Sequence, residues 1–181
     1  MKVIREVKMK AEKLQLGDRI KVNLPGEKHT AVAIKDEGDG MLFLFDEYLD
    51  EARPMNRSGS TDGGYDASEM RKFLRELAEK FPEKLRKRMA AFENGDMLRL
   101  LTITEICGID ENFNSCEGQI EWMKDQRHRI ASRKGGENEW GWTSTVVSGA
   151  LFALVSWNGF AVCLYASYSF GVRPAFKILY P

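Results

Sequence analysis

"WNGFAVCLYASYSFGVRPAF", residues 157–176, is the stretch on which the reading of the fold turns. It belongs to a longer run, from Trp140 to Val172, without one charged side chain, in a chain that is 30% charged. A run of that length raises the membrane question first. Asn158-Gly159 in its middle answers it. Asn-Gly between two apolar runs is a strong hairpin signal, because both residues accept the positive φ that a type I′ turn demands. The pattern predicts antiparallel strands over Ala150–Trp157 and Phe160–Ser167, joined by a two-residue turn, with Trp157 and Phe160 flanking it. Neither run alternates between apolar and polar, so both faces of the hairpin are expected to be covered and the hairpin to lie centrally.

Working outward, Gly171 is expected to bend the backbone and Pro174 to fix φ just before the final strand. Arg173 ends the charge-free run between them. A guanidinium at the edge of a core must satisfy its fork, and the candidate partners are Asp66, Glu69, Glu105 or carbonyls of the 108–139 segment.

The first fifty residues read as a small β unit. "GDRIKVNL" (17–24) alternates, and "HTAVAIKD" (29–36) and "GMLFLFDEYL" (40–49) flank the acidic turn "DEGDG". That turn does not have the alternating ligands and closing Glu of a calcium loop. "RPMNRSGSTDGGY" (53–65) is a polar loop leading into the clearest helix. Asp66 and Glu69 are spaced as a capping box, and Met70, Phe73, Leu74, Leu77 and Phe81 fall on one face. Pro82 ends that helix and opens a second, so helices are expected across 66–92. "MLRLLTITEI" predicts a strand over 97–107. Residues 108–139 form a long irregular insertion with one short helix around "QIEWMKDQ", and long loops of this kind often carry function.

Composition limits the function. The chain has 181 residues, a length that suits one domain with its own core. Lys plus Arg total 27, as do Asp plus Glu. "EKLRKR" and "RHRIASRK" are flanked by acids and read as solvated faces, so neither nucleic acid nor a membrane is expected as a partner. Residues 1–10 show no leader pattern. The three Cys make an odd number, consistent with reduced thiols. A cytoplasmic location follows from these two points as an expectation.

No nucleophile elbow, Cys–His set with an orienting group, phosphate-cradling Gly loop or metal-ligand spacing is visible. No cofactor and no metal are expected. Glu105 and Asp110 are a weak carboxylate pair, and Cys163 reads as a small buried residue in an apolar strand. Aromatics are the informative set. Trp140, Trp142, Trp157, Phe160, Tyr165, Tyr168 and Phe170 crowd into the last third. They are either core or a binding surface, since Trp and Tyr offer large area with a polar tip.

Three stretches taken together are familiar: "YDASEMRKFLRELAEKF" (65–81), "LRLLTITEICG" (98–108), and 140–176 ending "GVRPAF". They resemble a bacterial domain family of unknown function found in gut Firmicutes and in phage or prophage. A phage-particle location is what this resemblance implies as the alternative to the cytoplasm. Ser68 and Arg71 fit its Ser-x-x-Arg helix, and Leu100, Leu101 and Glu105 its strand. Trp140 and Trp142 fit its tryptophan stretch, and Gly171, Val172, Arg173, Pro174 and Ala175 its closing motif. "LGDRIKV" (16–22) matches its first strand, so the resemblance covers roughly 14–179. At "WGWTST" the family's adjacent Trp pair and following Arg are missing. The family looks like the broad C-type-lectin fold, shared with formylglycine-generating enzymes and the variable proteins of diversity-generating retroelements. The resemblance implies a single α+β domain over 1–181, with a mixed, mainly antiparallel sheet, two helices, the 108–139 insertion, and a closing hairpin and strand over 140–181. The sugar-binding calcium triplets of true lectins and the catalytic Cys pair of the formylglycine enzymes have no counterpart here.

The expected function is a non-enzymatic module binding a glycan, a peptide or a protein surface. Trp140, Trp142 and Tyr168 are the candidate contacts, and Arg71, Asn158, Gly159, Gly171, Arg173 and Pro174 the structural residues. A phage assembly protein and an enzyme with an unidentified site are the alternatives.

Overall fold

The structure is a computed structural model and describes residues 14–181; the stretch read above as carrying no leader lies outside them. In chain order the first half runs β1 (Arg19–Leu24), β2 (Glu27–Asp36), β3 (Gly40–Phe45), β4 (Arg53–Pro54), α1 (Glu69–Ala78), α2 (Glu83–Arg86) and β5 (Met89–Ala90). The second half runs α3 (Ile103–Cys107), α4 (Gln126–Arg129), β6 (Ala131–Ser132), β7 (Asn138–Glu139), β8 (Gly141–Val146), β9 (Leu151–Val155), β10 (Ala161–Tyr165), β11 (Ser169–Phe170) and β12 (Ala175–Leu179). The fold is a mixed α+β arrangement with antiparallel sheets.

The main sheet has the order β1-β2-β3-β12-β5. Its middle explains the apolar run "GMLFLF". Met41, Phe43 and Phe45 point into the larger core with Phe176, Ile178 and the α1 residues Met70, Leu74 and Leu77. Leu42 and Leu44 point the other way, with Val32, Ile34, Ile120 and Met123. A strand buried on both faces has no polar side to alternate with. Phe43, Phe45, Phe81 and Phe176 interlock there, with ring centroids 5.5–6.2 Å apart.

The 108–139 insertion is therefore not a free excursion. Its Ile120 and Met123, on a 3-10 turn at Glu121–Lys124, cover the second face of the main sheet. α4 follows that turn directly, so the short helix expected around 119–126 is two short helical pieces.

The 150–167 hairpin forms, with two corrections. β9 and β10 pair in the register Val155↔Ala161 and Leu154↔Val162, which leaves five residues, 156–160, in the connection. Gly159 N–H donates to the Ser156 carbonyl at 2.9 Å and Ser156 N–H to the Phe160 carbonyl at 2.8 Å. Gly159 has φ 85°, while Asn158 is not among the described residues with positive φ. The turn is thus a type I turn followed by a left-handed glycine, not type I′. Ser156 causes the difference: its Oγ accepts from Phe160 N–H at 3.1 Å and engages Asn158 Oδ1 at 2.5 Å. The hairpin is also not central. Its sheet is β10-β9-β8, with β9 in the middle and β10 at the edge, half-buried throughout except for exposed Tyr165.

Three further expectations change. α1 is capped by Ser68, whose Oγ accepts from Arg71 N–H at 3.0 Å, and Asp66 lies in the preceding 3-10 turn. The second helix stops after one turn, because Met89 turns into the core and pairs with Ile178 in β12. The strand expected over 97–107 is an extended segment followed by α3. Arg99 makes one bridge to Ala175, and Thr102 and Glu105 then form a full capping box that starts the helix.

Candidate functional site

The two-stranded pair β11-β4 sits between the sheets, with Phe170 opposite Arg53. β11 brings a series of rings to the surface. Trp140 stacks on Phe170 at 5.8 Å and 21°, Tyr168 meets Phe170 edge-on at 6.4 Å, and Tyr165 meets Tyr168 at 6.0 Å. Beside them is an open groove of about 530 Å³. Its apolar wall is Trp140, Trp157, Leu164, Tyr168 and Phe170. Its polar wall is Arg133, Asn138 and Glu139, from the β6–β7 hairpin, with Ser169 between. Trp157 at the hairpin tip is 55% exposed and Tyr168 50%. Arg133 Nε donates to Glu139 Oε1 at 2.8 Å, so the two charges hold each other in place while the other guanidinium nitrogens remain available.

Of the three expected contact residues, Trp140 and Tyr168 line this groove and Trp142 does not. Trp142 is 3% exposed. Its Nε1 donates to the Arg53 carbonyl at 2.7 Å, and its ring packs edge-on against Phe152 and Phe170. Being two residues from Trp140 along β8 puts it near the same rings but inside the core. Trp157 and Phe170 belong to the aromatic set read from the sequence but not to the three expected contacts, and the groove residues outside that set include Leu164, Arg133, Asn138 and Glu139. Trp157 had a usable signal, since a Trp beside a turn dipeptide sits at a loop tip. The polar wall had none, because it reaches the groove through a hairpin of two-residue strands.

Of the residues expected to be structural, Gly171, Arg173 and Pro174 join the two halves, while Asn158, Gly159 and Arg71 make more local contacts. Gly171 does not adopt the left-handed backbone. It is required because a Cβ there would lie 2.5 Å from Tyr48 Cδ2, and a Cβ on Gly141 would collide with the same ring. The Tyr48 ring thus packs against both glycine backbones, which bridge to each other, and burial pushes its phenol up to about 12. Pro174 gives its carbonyl to Phe45 N–H at 3.1 Å, leading into β12. Gly159 faces Gln126, where a Cβ would lie 2.9 Å from Cγ, and Asn158 gives its carbonyl to Gln126 Nε2 at 2.6 Å. Arg71 donates from Nε to Asp96 at 2.5 Å, from Nη1 to the Asp66 carbonyl and from Nη2 to the Asn94 carbonyl.

Arg173 takes carbonyls and no carboxylate: Nε donates to Phe45 O at 2.7 Å and Nη1 to His128 O at 2.9 Å. His128 belongs to the insertion, as one of the expected partner classes had it; Asp66, Glu69 and Glu105 are elsewhere. Glu105 is held by a bidentate pair to Arg99 at 2.7 Å. Burial alone would raise its carboxyl, but Arg99 and Thr102 outweigh burial and hold it low. Asp110 accepts the backbone N–H groups of Asn112 and Asn114 in its own loop, so the two acids do not form a catalytic pair. Cys163 is half-buried on the β10 edge rather than enclosed.

Among the described residues, Glu27, His29 and Asp50 bring potential ligand atoms within 4.8 Å of one another. His29 Nε2 is already bonded to Glu27 at 2.7 Å, and its buried Nδ1 has no hydrogen-bond partner. A metal on Nε2 would leave an N–H at Nδ1 without the acceptor that metal-bound imidazoles normally have. No described helix is long and apolar enough to cross a membrane. Comparison with protein-family models, curated proteins and solved structures finds no match for this chain.

Proposed function

We propose that this chain is a non-enzymatic binding module of C-type-lectin-like build, from a bacterium or a phage, whose aromatic groove receives a glycan. One observation carries the reading: a groove of about 530 Å³ is lined by the exposed rings of Trp157 and Tyr168, the half-buried rings of Trp140 and Phe170, and the planar polar groups of Arg133, Asn138 and Glu139, a size usual for ligand sites. A sugar has one face of C–H bonds and an edge of hydroxyls. Trp157 and Tyr168 suit the face. Arg133, Asn138 and Glu139 supply donors and acceptors for the edge. The groove's own charges are paired with each other, an arrangement for recognition rather than proton transfer.

The test is tryptophan fluorescence of the whole chain titrated with a panel of soluble oligosaccharides. Trp140 and Trp157 line the groove, so a bound sugar shifts their emission saturably. A flat response to every sugar in the panel would refute the glycan reading.

A second reading, a phage assembly protein, is favoured by β10. This edge strand reads "AVCLY", with none of the Lys, Pro or charges that usually blunt an edge, and Phe160 just before it and Tyr165 at its end are more than half exposed. Light scattering across a wide concentration range separates the readings, since assembly through β10 gives growing mass while a glycan module stays at one mass.

A further inference from the structure

Four strands end the two larger sheets, and three of them are blunted. β1 carries Arg19 and Lys21, and β5 is two residues long. The outer side of β8 is occupied: Trp142 N–H donates to the Gly171 carbonyl and Ser144 N–H to the Leu101 carbonyl, both at 3.0 Å. β10 ends the smaller sheet with no charge, no proline and, among the described residues, no strand beyond it.

The ladder shows which of its backbone groups are open. Ser156 N–H donates to the Phe160 carbonyl at one end, and Ala166 N–H to the Ala150 carbonyl at the other. Between them the register runs from Val155↔Ala161 to Leu151↔Tyr165 without a shift. Hydrogen-bonded pairs alternate in an antiparallel ladder. Val162 and Leu164 therefore bond β9, and the N–H and C=O groups of Ala161, Cys163 and Tyr165 point away from it. Among the described residues their one partner is Tyr168, whose N–H donates to the Tyr165 carbonyl at 3.1 Å and leaves that oxygen a second lone pair. The open set is symmetric about Cys163.

We propose that β10 is a self-pairing edge, on which a second copy of this chain adds its own β10 antiparallel about a two-fold axis at Cys163. In that register Ala161 faces Tyr165 of the copy, Cys163 faces Cys163, and every open N–H meets an open carbonyl. The side chains agree: small Ala161 lies against large Tyr165, and Val162 against Leu164. No charged side chain lies between Trp140 and Val172, so self-pairing brings no like charges together. A foreign strand would need none of this symmetry. The axis consumes both edges, so association stops at two chains instead of growing. Cross-strand neighbours point to the same face, which sets the two aromatic grooves, each lined by Leu164, on one side of the joined sheet.

Sedimentation of the whole chain from about 1 µM to 1 mM tests the pairing, with no sugar present, so the outcome is independent of the glycan reading. The mass should move from one chain to two and level off there. Residue-resolved hydrogen exchange should slow about tenfold at the Ala161, Cys163 and Tyr165 amides where nine chains in ten are paired, since only unpaired chains exchange. The Val162 and Leu164 amides, bonded to β9 throughout, should not follow. Cys163→Lys sets two ammonium groups face to face at the axis and should hold the mass at one chain. Where that variant also melts lower, the exchange pattern of the unaltered chain decides alone. A one-chain mass across the range, growth beyond two chains, unchanged exchange at Ala161, Cys163 and Tyr165 as the mass doubles, or full pairing of Cys163→Lys would each overturn the proposal.

Discussion

Replacing Arg173 with alanine removes two charge-assisted hydrogen bonds and strands the Phe45 and His128 carbonyls. Bonds of this kind contribute about 1.5–3 kcal/mol each, so the pair represents about 3–6 kcal/mol. Removing the buried cation gives back part of its desolvation cost, which places the expected loss near the lower end, about 3 kcal/mol. For a chain of this length each kcal/mol moves the midpoint by about 2–4 °C, giving a fall of about 6–12 °C. Arg173→Lys should recover no more than half, because a single ammonium cannot reproduce donors fixed at Nε and Nη1. The assay is a thermal or urea melt, joined to hydrogen exchange over 126–132, where protection should drop first because His128 loses its anchor. An Arg173→Ala melt within about 2 °C of wild type would refute the argument that the closing motif is a structural clamp.

Gly171→Ala forces a Cβ into the Tyr48 ring and should cost about 1–3 kcal/mol by overpacking, with Tyr48→Leu in the same chain restoring part of it in a urea melt. Asp96 is buried between Arg71 and Arg75; burial alone would raise its carboxyl, but the two guanidinium groups outweigh burial and hold it below the usual range. Its contribution is therefore complete above the unfolded carboxyl pKa of about 4 and is lost as pH falls through the lower folded value. Asp96→Asn should cost about 3 kcal/mol at pH 7 and shrink the loss of stability between neutral and strongly acid pH in urea titrations. Trp142→Ala should cost about 3–5 kcal/mol in a chemical melt, whereas Trp157→Ala should change stability by less than about 0.5 kcal/mol, since one ring is core and the other solvent-facing.

Much of this architecture was legible from local chemistry. The Gly turn at 36–40 predicts the β2–β3 hairpin, the alternation in 17–24 predicts β1 as a strand, and the α1 face at Met70, Leu74 and Leu77 is visible in its spacing. The misreadings have specific physical origins. In "LLTITEI" the apolar density suggested a strand, but Thr102 and Glu105 form a capping box whose two reciprocal bonds start a helix. Asn158-Gly159 located the turn correctly. The turn type is set by Ser156 Oγ, a competing side-chain acceptor two residues before the dipeptide. The argument that an unalternating strand lies centrally holds for Gly40–Phe45 and fails for Ala161–Tyr165, because an apolar edge gives the same pattern as a buried centre. Trp140 and Tyr168, read from residue type and, for Trp140, from the family resemblance, both line the groove. Trp142 was misplaced because strand register, not type, decides which way a ring points. The partners of Arg173 were foreseeable only as a class, since backbone carbonyls carry no sequence label.

The central claim is that the exposed rings of the groove bind a glycan, and an immobilised glycan array tests it most directly. Wild type and a Trp157→Ala/Tyr168→Ala double variant, matched for thermal midpoint, are applied to the same array. The account predicts retention of wild type on a defined subset of sugars and loss of that retention in the double variant. Retention of neither protein above background, or equal retention of both, would contradict it.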